Sequence, residues 1–199
     1  MQRAWMAAAL VLLVGCQRDP GLDVKAMPDP LRSGAASAPS ASEIIPLDKV
    51  SKSQAAAVSQ RIANTEITLT YSRPVARGRA LFGALVPYDQ AWNPGADQAT
   101  AMAVTRAIQI NDHPLAAGKY SLWAIPRRDN WTIIFSKAAE VYHTPYPGEG
   151  QDALRFDVRP EQGPHMEALA YYFPTVEGKE AVLRLHWGEV VVPLTIRVP

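Results

Sequence analysis

Three guanidiniums fall close together at Arg73, Arg77 and Arg79, spaced by Pro74 and Gly78. If they converge in space, such groups hold a carboxylate or phosphate bidentately. The competing reading is structural, because irregular backbone needs donors for its carbonyls and arginines supply them. Downstream, the irregular stretch Trp92 to Thr100 contains Pro94 and Gly95 and sets an aromatic ring beside Asp97, Gln98 and Thr100. A ring face with short polar groups suits a sugar or peptide ligand. The alternative has Trp92 plugging one end of the fold while Asp97 caps loop amides. Arg73, Arg77, Arg79, Trp92, Asp97, Gln98 and Thr100 are therefore the candidate ligand-binding residues.

Other chemistry is thinly represented. The run from Tyr142 to Asp152 is long and aperiodic, and loops of that kind are either functional or mobile; mobility is the expectation here. His143, Glu149 and Asp152 within it match no zinc or calcium spacing, and His113, His165 and His186 are scattered. No metal and no cofactor are expected. There is no Gly-x-Ser-x-Gly elbow and no Ser-x-x-Lys motif, and Ser72 has no evident general base beside it. Glu167 and Glu177 cannot be paired as glycosidase carboxylates without knowing their separation. No catalytic residue is assigned.

The single cysteine, Cys16, closes the run Leu13-Val14-Gly15-Cys16 after a positive flank at Arg3 and an apolar stretch from Ala4 to Val14. That stretch has the length of a signal-peptide core and is short for a bilayer span. The four residues resemble the lipobox of bacterial lipoproteins, which implies cleavage before Cys16, lipidation of its thiol and stable membrane anchoring. Gln17, rather than Asp, follows the cysteine, which by the same resemblance favours the outer membrane of a two-membrane host. Removing the leader takes away Arg3 and leaves acidic and basic side chains in equal number. A formally neutral body lacks the field to neutralise many phosphates, so nucleic acid is not an expected partner. With Cys16 consumed, no thiol remains for a disulfide or a nucleophile.

The elements that must position these groups read as strands. Gln17 to about Ile45 is rich in Pro, Ser, Ala and Gly and reads as a flexible tether. The chain thus divides into a leader (1–15), a lipidated cysteine and tether (16–46) and one domain (47–199). Val58–Ile62 and Ile67–Tyr71 are strand candidates around an Ala63-Asn64-Thr65 turn. Met102–Thr105 begins a run towards Ile110, which Asn111 to Pro114 break; Lys119–Ile125 and Trp131–Phe135 follow around a turn at Arg127–Asn130. Leu183, Leu185 and Trp187 share one face, and Val190, Val192, Leu194, Ile196 and Val198 share another. Gly188-Glu189 between them predicts a two-residue hairpin turn. Pro193 then puts the last strand at an edge or a bulge. Only Leu47 to Val58 offers a short helix, with Asp48 as its cap. The expected fold is all-β, an antiparallel sandwich or flattened barrel of many short strands.

Several motifs occur in order: Tyr71-Ser72-Arg73-Pro74, Arg77-Gly78-Arg79, Leu81-Phe82-Gly83, Leu85-Val86-Pro87-Tyr88, Trp92-x-x-Gly95-Ala96-x-x-Ala99-Thr100, Leu115-x-Ala117-Gly118-x-Tyr120 and Trp131-Thr132-Ile133-Ile134-Phe135. Together they resemble the bacterial family called domain of unknown function 2911, over about Val58 to Val198. The resemblance implies an exported or lipid-anchored sandwich-like domain and assigns no activity. Where that family typically has Trp-Arg-Thr-Gly-Ala-Asn-Glu-Ala-Thr, this chain has Asn93, Asp97 and Gln98 in place of the Arg, Asn and Glu, so the charges of that segment are altered.

The function expected is a membrane-anchored envelope lipoprotein facing the periplasm, whose loops bind a small molecule, glycan or protein. A hydrolase of envelope material and a purely structural envelope protein are the alternatives.

Overall fold

The computed structural model describes residues 53–199. The tether, the leader and Cys16 lie outside the described residues, as does the first half (47–52) of the expected Leu47–Val58 helix. Ten strands form: β1 (Gln54–Ile62), β2 (Thr65–Arg73), β3 (Ala101–Val104), β4 (Ile108–Ile110), β5 (His113–Leu115), β6 (Gly118–Ile125), β7 (Trp131–Ser136), β8 (Asp152–Val158), β9 (Glu161–Glu177) and β10 (Glu180–Arg197). Six pair in the order β1-β2-β3-β6-β7-β8 and four in the order β5-β4-β10-β9. Every pairing between strands is antiparallel. The fold is all-β, two open sheets rather than a closed barrel. Among the described residues no helix is long and apolar enough to cross a membrane.

Alternation places the core. In β2, Ile67, Leu69 and Tyr71 are buried while Glu66 and Thr70 face out, the period-2 signature of a strand with one covered face. These side chains meet Leu183, Leu185, Leu194 and Ile196 of β10 in one continuous core spanning both sheets. Strand β7 is different, because all six of its residues are buried. Trp131, Ile133 and Phe135 point into the main core. Ile134 joins Trp123 and Ala99 in a second cluster on the opposite face, under Val141 and Tyr146. A near-continuous apolar run is what a strand covered on both faces requires.

Three sequence expectations are corrected. Gln54 to Val58 lies in β1, not in a helix, because pairing with β2 from Gln54↔Arg73 to Ile62↔Thr65 outweighs the helix preference of the alanines. No turn occurs at Gly188-Glu189: β10 runs straight through it, and the ladder with β9 shifts register on both sides of Gly188. Each shift sets four residues of β9 against two of β10, and at Gly188, with φ +59°, the inward face of β10 changes from odd to even positions, a change a two-residue turn would make equally well. The true Gly-first turn is Gly178-Lys179, which joins β9 to β10 with Gly178 at φ +57°. Nor is the last strand an edge, since β10 lies between β4 and β9. Its pairs with β9 end at Val191 and those with β4 begin at Ile196, so Pro193 lies between the two paired stretches. Strands β8 and β9 were not foreseen, and the run expected to continue from Met102 to Ile110 divides between sheets as β3 and β4.

Candidate functional site

The connection between β2 and β3, residues 74–100, carries every candidate except Arg73. A connection this long in a compact domain needs its own anchors. Its first stretch lies alongside β9: Leu169 N–H donates to Pro74 O at 3.0 Å, and Ala76 N–H to Glu167 O at 2.8 Å. Glu167 also accepts the Arg77 amide on Oε1 at 2.6 Å and meets His165 Nε2 at 3.0 Å. Those bonds favour the ionised form and hold the Glu167 carboxyl below the usual carboxylate range, the His165 contact contributing most.

The three arginines part company here. Arg73 Nε donates to Leu169 O at 3.0 Å, and Arg79 donates to Ala76 O at 2.9 Å and Val75 O at 2.7 Å. Arg73 thus ties β2 to a carbonyl of β9, and Arg79 ties the irregular backbone of its own loop. The Arg77 guanidinium has no hydrogen-bond or ion-pair partner among the described residues. Arg77 itself sits at φ +54°, a left-handed conformation that costs a residue with a Cβ roughly 1–2 kcal/mol.

A cleft of about 570 Å³ opens beside this loop. Arg77, Arg79 and Trp92 line it, together with Trp187 from β10 and His143 and Thr144 from the β7–β8 connection. Val75, Leu85 and Val86 supply apolar wall, and no carboxylate among the described residues lines it. Trp92 is half-buried and paired through its backbone to Ala124, with N–H···O distances of 2.8 Å in both directions. Its ring stacks on Trp187 at 6.0 Å and 17° and meets Phe82 and Trp131 edge-on. Trp92 thus closes the core and lines the cleft at once. The cleft's size is ordinary for a small-molecule site.

The rest of the 92–100 stretch is scaffold. Asn93 is fully buried, donating to Leu122 O at 2.7 Å and accepting the Thr100 amide at 3.1 Å. Thr100 is equally buried, its hydroxyl donating to Pro94 O at 2.8 Å, an oxygen that also accepts the Tyr171 hydroxyl at 2.9 Å. At Gly95 a Cβ would lie 2.5 Å from Thr100 Oγ1, so only glycine fits. Asp97 and Gln98 are exposed and line a second depression, of about 500 Å³, against β1 and β2. The structure therefore brings Arg77, Arg79 and Trp92 to one cleft and Asp97 and Gln98 to another, and sets Thr100 in the interior.

His143 and Trp187 were not foreseen as cleft residues. His143 enters the sequence reading only as a metal ligand, and Trp187 only as part of one strand face. The His143 amide and ring Nδ1 both lie close to Asp97 O, at 3.0 and 2.8 Å. A carbonyl only accepts, so Nδ1 carries the proton and Nε2 is the ring's acceptor. Glu149 and Asp152 instead pair with Arg155, at 3.2 and 3.0 Å, and the Tyr146 hydroxyl donates to Asp152. Burial, with that bond second, pushes the Tyr146 phenol up to about 12. These bonds fasten to the sheet a loop expected to be mobile. Among the described residues no three metal-ligating side chains gather.

An all-β two-sheet domain with a basic, aromatic-walled cleft under its longest connection is the class this geometry defines. The chain belongs to the family described as protein of unknown function (DUF2911), whose model matches residues 53–196. No curated protein and no solved structure matches it.

Proposed function

We propose that this protein is a lipid-anchored envelope lipoprotein that binds a ligand in the Arg77–Trp92 cleft without transforming it. Anchoring through Cys16 follows from the Leu13-Val14-Gly15-Cys16 run and its apolar leader, and directs the domain to the periplasm from the outer membrane of a two-membrane host. The observation that carries the binding reading is the cleft itself, whose wall is two arginines, two tryptophans and apolar side chains. Cleft chemistry also favours binding over hydrolysis. With no carboxylate in the wall, neither a glycosidase pair nor a carboxylate-oriented histidine is built there, and His143 is held by a backbone carbonyl.

The test has two arms. Wild-type protein should incorporate labelled palmitate and Cys16→Ala should not; palmitate on the variant overturns the anchor. The purified protein should be retained by isolated envelope fractions and leave them chemically unchanged. Turnover of envelope material that is lost in Arg77→Gln replaces binding with catalysis.

A further inference from the structure

We infer that the cleft is built for a carboxylated sugar, a uronic-acid-type residue of an envelope glycan; this rests on the binding reading above and names its ligand. Three properties of the wall must be met by one molecule. The first is charge: Arg77 and Arg79 line the cleft, no carboxylate among the described residues does, and the Arg77 guanidinium makes no hydrogen bond or ion pair among them, although its charge acts on Glu167, which does not line the cleft. Its planar fork matches a carboxylate with two parallel bonds. Arg79 spends its Nε and one terminal nitrogen on Ala76 O and Val75 O, so it contributes field more than a fork.

The second property is an acceptor. His143 Nδ1–H donates to Asp97 O, which leaves Nε2 with a lone pair on a residue of the cleft wall, and Thr144 beside it carries a hydroxyl. An acceptor next to two cations suits a ligand that brings hydroxyl donors along with its negative charge. Inorganic phosphate carries P–OH donors too, but it has no apolar face for the third property. The third property is apolar wall: Trp92, Leu85 and Val86 face the same space. The C–H face of a pyranose packs on such a surface, and the ring carries both hydroxyls and carboxylate.

The backbone holds Arg77 in place for this role. It is pinned by Glu167 Oε1 on its own amide at 2.6 Å, in a left-handed conformation at φ +54° where side chains with a Cβ are uncommon.

The experiment is titration calorimetry on the full chain in detergent, with galacturonate, galactose and inorganic phosphate as probes. Galacturonate should bind saturably and lose affinity as salt rises; galactose should bind at least about tenfold more weakly through the loss of one charge-assisted pair, and phosphate at least about tenfold more weakly because it has no ring to pack on Trp92. Arg77→Gln should weaken galacturonate by about tenfold or more at unchanged melting temperature, and Arg77→Lys should recover only part of the loss, since it restores charge without the fork. Arg159→Gln, which removes an exposed charge outside the cleft, should bind as wild type. Equal binding of galactose and galacturonate, or phosphate binding as well as galacturonate, overturns the carboxylated-sugar assignment. An unaffected Arg77→Gln overturns it as well. If no probe binds while envelope fractions still retain the protein through Trp92 and Arg77, the ligand class is wrong and the binding reading stands. If neither occurs, both fall.

Discussion

At Arg79 the guanidinium closes its own loop by donating to Val75 O and Ala76 O, whereas two residues earlier Arg77 donates only its backbone amide, to Glu167. Substitution should separate these duties. Arg79→Ala should cost about 1 kcal/mol of stability through the lost carbonyl bonds, read as a lower melting temperature. Trp92→Ala should cost roughly 3 kcal/mol, because the ring is half-buried and packed on Trp187, Phe82 and Trp131; a melting temperature at wild-type level would assign Trp92 to the surface alone. Acid should act through Glu167. Its folded pKa is lowered, so its bond to the Arg77 amide is fully present above the ordinary value of 4.5 and is lost as pH falls through the lower folded value. The Arg77 amide resonance should therefore titrate with a midpoint below 4.5, and Glu167→Gln should abolish that titration.

Among the elements, β10 carries the most consequence. The irregularity at Gly188, with a register shift on either side, lets a single strand place Leu183, Leu185 and Trp187, and then Val192, Leu194 and Ile196, on the same core. Gly188 sits at φ +59°, and a Cβ there would meet Leu81 Cδ1 at 2.8 Å. Gly188→Val should therefore destabilise the domain by about 2–3 kcal/mol through left-handed strain and the Leu81 clash, and should disturb Trp187 and the cleft. A variant that unfolds at the wild-type denaturant midpoint would remove this account of the bulge. The 92–100 segment is similarly specified: Asn93→Ala strips two buried hydrogen bonds and should cost about 2–3 kcal/mol. Alternation made β2 legible in advance, and apolar, β-prone runs bounded by turn residues did the same for β6 and β7. Strand β9 was not, because Gly163, Pro164 and Pro174 interrupt its period and much of it is exposed. The position of β9 is set by its ladder with β10 and by the Pro74–Arg77 stretch, with Leu169 and Tyr171 as its core anchors.

For the whole molecule, the two sheets share one core, and residues 48–199 form one compact unit. A fragment over those residues should show a β-type circular dichroism spectrum and a single unfolding transition whose midpoint is the same by dichroism and by tryptophan fluorescence. Two separated transitions would mean that the sheets fold independently. Sequence alone determined the all-β class, the position of several strands and the inward faces of the last one, because alternation and turn residues are short-range properties. Only the tertiary structure decided that Arg79 is spent on its own loop, that Thr100 is interior, that Asp97 and Gln98 look elsewhere, and that His143 and Trp187 complete the cleft. Those outcomes depend on which distant strands lie side by side, and pairing across a sheet leaves no periodic mark in the chain. The same limit explains Gly188: a bulge and a turn shift the face by the same one residue, and only the partner strand distinguishes them.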